Sequence, residues 1–154
     1  MHGQQTHRPA PVPNQILNAK RVFIANAPPT HIDFSQTIYS GGRYRAYDEF
    51  YAAMKSWGTF QLVDAPRNAE LVFEVAQNSS DLQLIIVDSQ SRVPLWWFDE
   101  LLSMGTHRKD SDELYDRAMA KLIRDVQDLV SAPSAKAGPP TESSQLPVPV
   151  RQKP

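Results

Sequence analysis

The chain has 154 residues and a mass of 17.4 kDa, 41% of them hydrophobic and 21% charged, which suits one folded domain and excludes wholesale disorder, collagen and coiled coil. It has no cysteine, so disulfides, thiolate metal sites and a cysteine nucleophile are excluded. The net charge of −1 conceals a division: residues 21–130 hold eleven Lys and Arg against sixteen Asp and Glu, while the two ends hold five against one. An acidic middle lacks the basic stripe that phosphate neutralisation requires, so nucleic acid is not an expected partner.

In chain order, residues 1–19 carry Pro9, Pro11 and Pro13 among glutamines and asparagines without apolar periodicity, and read as a disordered amino end. Lys20 to Ala25 is β-branched and apolar and stops at Pro28-Pro29, the mark of a first strand. From Arg43 to Trp57, the residues Tyr44, Tyr47, Phe50, Tyr51, Met54 and Trp57 recur at three- and four-residue steps and predict a helix closed by Gly58. Phe60 to Val63 is a short second strand. Ala69, Leu71, Phe73 and Val75 then alternate with Glu70 and Glu74, which predicts a third strand with one wet face.

Leu82–Val87 and Val93–Phe98, joined by Asp88-Ser-Gln-Ser-Arg92, form a predicted β-hairpin whose two faces are both apolar. A closing helix is predicted from about Ser111 to Val130 on the stripe Tyr115, Ala118, Met119, Leu122, Val126 and Leu129, with Asp110, Asp112 and Glu113 at its positive end. Residues 132–154, with six prolines, read as a disordered tail; Leu146-Pro-Val-Pro-Val-Arg151 within it is either a plain linker or a ligand for proline-recognising domains. The expected fold is therefore α+β in the order β-α-β-β-β-β-α over residues 20–131, a mixed sheet of about five strands with both helices on one face.

Few residues of the sequence point to chemistry. Phosphate-binding loop, dinucleotide fingerprint and serine elbow are all missing, so no cofactor, no metal site and no catalytic residue is expected. His2, His7, His31 and His107 are scattered, and Asp110-Ser-Asp112-Glu113 lacks the glycine and distal glutamate of a calcium loop. Asp99 and Glu100 are neighbours on a strand and so point to opposite sides, away from a shared substrate atom. Gly41, Gly42 and Arg43 enter the first helix, where backbone N–H groups and a guanidinium offer an anion site; a plain loop-to-helix junction accounts for the same residues.

The strongest departure from ordinary patterning is the two-sided hairpin. If two helices cover one face, the other is left with Ile85, Val87, Trp96 and Phe98, or with their neighbours, and something must cover it. The candidates are the loop from Pro28 to Gly42, a second copy, a protein partner or an apolar ligand.

The segment Asn68-Ala-Glu-Leu-Val-Phe-Glu-Val75, then Leu84-Ile-Ile-Val-Asp88, then Val93-Pro-Leu-Trp96 and a final amphipathic helix resemble the small bacterial envelope proteins grouped as domain of unknown function 4136. The element order is also similar to that of the TolB amino-terminal domain, a protein-interaction module of the envelope. The resemblance covers roughly residues 20–130 and implies a non-enzymatic binding or scaffold domain, exported or periplasmic, that acts through a protein partner or self-association. It carries over no catalytic residue. Members of that family usually begin with a signal peptide, and none precedes Val22, so a cytoplasmic location is the alternative. The alternative function is a small-molecule or anion-binding domain, or an enzyme, with Arg43, Arg45 and the tyrosines of the first helix around a pocket.

Overall fold

The computed structural model describes residues 10–27 and 39–131. Along these the order is α1 (Asn14–Asn18), β1 (Arg21–Asn26), α2 (Arg45–Trp57), β2 (Gln61–Leu62), β3 (Leu71–Gln77), β4 (Asp81–Asp88), β5 (Pro94–Leu101) and α3 (Arg108–Ser131), with one 3-10 turn at Pro66–Asn68. The fold is α+β, as expected. The sheet runs β2-β1-β3-β4-β5: β1 is parallel to both β2 and β3, while β3-β4 and β4-β5 are antiparallel. Parallel β1 and β2 need a crossover, and α2 is that crossover.

Local chemistry sets the ends of the elements. Gly58 closes α2 in the left-handed region at φ 71°, its N–H donating to the Met54 carbonyl at 3.1 Å. In the β4-β5 connection Arg92 takes φ 61°, while the amide and hydroxyl of Ser91 both donate to the Asp88 carboxylate at 2.7 Å. Helix α3 starts three residues before its predicted position, because Asp110, in its first turn, reaches back to accept the His107 amide, the return half of a capping box.

One core lies between the sheet and α2 and α3. Val22, Ile24, Leu71, Phe73, Val75, Leu82, Leu84 and Ile86 face Phe50 and Met54 of α2 and Tyr115, Leu122 and Val126 of α3, all in one contiguous cluster. Phe60 stands edge-on to both Trp57 and Phe73, so the aromatic stripe of α2 continues into the sheet.

Two expectations are corrected. Residues 10–19 belong to the fold: α1 carries Ile16, wholly buried in the core, where a five-residue helix with two adjacent apolar side chains shows no sequence period. And β3 has no fully wet face. As the middle strand of five it has Phe23 of β1 and Val87 of β4 directly beside Val72, which is buried, as is Ala76. The Pro28–Gly42 loop lies largely outside the described residues; of its proposed covering group, His31, Ile32, Phe34 and Ile38 are not described.

Candidate functional site: the open face of the sheet

With both long helices on one side, the other side of the sheet is built from the alternate residues of each strand. Register places Phe23, Val72, Val87 and Pro94 in one row across the strands, and Ala25, Glu74, Ile85 and Trp97 in the next. Beyond these come Ala76, Gln83 and Asp99, then Asp81 and Leu101. In the middle of the sheet Val72 and Val87 are buried, although neither long helix lies on this side. At the edge Trp97 and Leu101 are 66% and 80% exposed.

Register also corrects the grouping of Ile85, Val87, Trp96 and Phe98. Ile85 stands opposite Trp97, Ile86 opposite Trp96 and Leu84 opposite Phe98, so Trp96 and Phe98 lie on the helix side, packed against the core, while Ile85 and Val87 lie on the open side. An irregularity between Ile86 and Val87 pairs Val87 with Pro94 and leaves Leu95 as the extra residue. Opposite residues of an antiparallel pair share a face, and the register follows from the turn at Asp88–Arg92, which strand composition does not disclose. The exposed tryptophan is therefore Trp97, which the four-residue grouping left out.

Two pairs of polar groups lie on this face. Arg92 lies 3.6 Å from Glu74, and the Gln83 amide donates to Asp99 at 2.9 Å. Glu100, on the opposite side as strand geometry requires, accepts from Lys121 of α3 at 2.6 Å, and Lys121 also reaches Asp125 at 2.9 Å. Burial first, then the neighbouring Asp125 carboxyl, holds Glu100 above the usual glutamate value.

The predicted anion site has a different construction. Gly41 and Gly42 both take positive φ, 94° and 70°, and α2 begins at Arg45 instead of Arg43. Arg43 donates to the Tyr44 hydroxyl at 2.6 Å and lies over that ring. Arg45 is occupied internally: it binds Glu49 at 2.9 Å, Asp112 at 3.0 Å and Asp116 at 2.6 Å, and lies 3.9 Å from the centre of the Tyr115 ring. Its neighbours Ser40 and Asp112 complete the knot, the Ser40 amide and hydroxyl donating to the carboxylate at 2.8 and 2.6 Å. This junction ties the start of α2 to the start of α3.

A half-open cleft of about 410 Å³ lies at the far end of the sheet from this junction, lined in part by Asn18, Arg21, Arg67, Glu70 and Asp88. Its two carboxylates are already engaged: Glu70 accepts the amides of Lys20 and Arg21 at 2.7 and 2.9 Å, and Asp88 holds Ser91. Among the described residues no group of three His, Asp or Glu is placed to hold a metal ion, and no helix is long and apolar enough to cross a membrane. Compared with protein-family models, curated proteins and solved structures, the chain matches none.

Proposed function

We propose that this protein is a non-enzymatic binding domain that meets a protein partner through the open face of its sheet. Support comes above all from Trp97, a large side chain standing two-thirds exposed beside Ile85 on a face that neither long helix touches. Covering Trp97 and Leu101 removes roughly 200–300 Å² of apolar surface from water, worth about 5–7 kcal/mol before the costs of association. Tryptophan in such a setting is the residue type most enriched among the energetic anchors of interfaces, and the apolar centre with Glu74, Arg92 and Asp99 around it has the layout of core and rim. A place in the bacterial envelope rests on the resemblance to the 4136 group alone.

The test uses a photo-crosslinking residue at Gln83 on the open face and a control at Lys55 on α2, in living cells, with and without Trp97→Asp. A discrete adduct from position 83, not from 55, and lost with Trp97→Asp in a variant that stays folded, is the expected result. A folded monomer with no adduct from either position would overturn the reading.

A further inference from the structure

We propose that the outer edge of β5 takes the chain's own segment Leu146–Val150 as an added strand. Among the described residues β5 has β4 on one side and no strand on the other. The Leu102 amide donates inward to the Ser80 carbonyl at 2.7 Å, and pairing continues at Leu82–Glu100, Leu84–Phe98 and Ile86–Trp96. Alternation therefore turns the N–H and C=O groups of Trp97, Asp99 and Leu101 outward. Pro94 and the irregularity at Leu95 blunt only the first part of this edge.

The tail's sequence complements that edge in three respects. Leu146-Pro-Val-Pro-Val150 places proline at every second residue, so its backbone can donate from one side only, which is the pattern of a strand that pairs along a single edge. The three residues able to donate are Leu146, Val148 and Val150, and in an antiparallel pair they share the face of Trp97, Asp99 and Leu101, bringing apolar side chains beside the two most exposed ones there. Residues 132–154 hold three Lys and Arg against one Glu, whereas residues 21–130 are net acidic, so the approach is attractive. Fourteen residues, 132–145, can span at most roughly 45 Å, more than the roughly 36 Å of α3, so the tail can return from Ser131 to the end of β5 from which α3 departs. A strand added at the edge widens the open face without covering it, so this inference stands apart from the partner reading.

The test is amide hydrogen exchange by NMR on the full chain. Expected are amides of Trp97, Asp99 and Leu101 that exchange roughly 10²-fold more slowly than unstructured amides. Val148→Pro, which deletes the middle donor, should remove most of that protection while leaving Phe98 and Glu100 unchanged; Pro147→Ala, on the outer side, should leave it in place. Exchange of Trp97, Asp99 and Leu101 at unprotected rates beside slow Phe98 and Glu100 would overturn the proposal. So would protection that fades on dilution, since that assigns the added strand to another copy. These amides report on the edge whether or not a partner is ever crosslinked to the face.

Discussion

The Arg45 side chain is only 10% exposed, its guanidinium held among three carboxylates and over the ring of Tyr115. Such a group is stable because its flat face is covered by an aromatic ring and its edge meets anions, and four of its N–H donors are spent within the molecule. Tyr115 supplies the ring and has a cost of its own. Its hydroxyl is buried with no hydrogen-bond partner among the described residues, and burial, with Glu49 next, raises its phenol above the ordinary value. Tyr115→Phe keeps the ring under Arg45 and removes the unsatisfied oxygen. Its urea midpoint is expected to be unchanged or higher, by up to about 1 kcal/mol; a loss above that would mean the hydroxyl has a partner after all. A tyrosine at this position of a helical stripe reads as core from sequence. The third dimension adds that its ring is also a cation's floor.

At the scale of elements, the short α1 separates what patterning can and cannot find. Its one buried residue, Ile16, lies wholly within the core, and α1 packs against α3. Ile16→Ala is expected to destabilise the domain by about 2–4 kcal/mol in equilibrium denaturation, because the cavity it leaves lies among fixed elements. A loss below about 1 kcal/mol would show that α1 is only laid on the surface. The hairpin is the converse case: its existence and the two apolar faces are legible from Leu82–Val87 and Val93–Phe98, but the partner of each tryptophan is not. One residue of register exchanges Trp96 for Trp97 between the dry and wet sides, and the turn chemistry at Asp88, Ser91 and Arg92 settles which.

For the whole molecule, charge couples the elements to pH. Glu70 is held below its ordinary value by the amides of Lys20 and then Arg21, Asp88 by the Ser91 amide and then its hydroxyl, and Asp112 by the Ser40 hydroxyl and then its amide. A carboxylate with a depressed folded value binds its proton later than in the unfolded chain, so its contribution is full above the unfolded values of 3.8 and 4.5 and is lost as pH falls below them. Glu100, raised by burial, has the opposite sign: its contribution weakens as pH rises above 4.5 through its folded value. Asp125 is depressed as well, so four groups oppose one and the urea midpoint should fall as pH drops from about 5 towards 2. Glu70→Gln should flatten part of that slope; an unchanged slope would mean the amides of Lys20 and Arg21 do not hold this carboxylate.

The α+β class, the helix of Arg45–Trp57, the closing helix, the hairpin and the surplus of apolar side chains on it follow from local periods and turn residues, which act over a few neighbours. The strand order, the burial of Ile16 and Val72, the engagement of Arg45 and the choice of Trp97 as the exposed tryptophan do not. Each depends on contacts between residues far apart in the chain, such as Phe23 beside Val72 or Arg45 beside Asp112. Periodicity states which side chains must leave water; only the assembled sheet and helices decide which have somewhere to go.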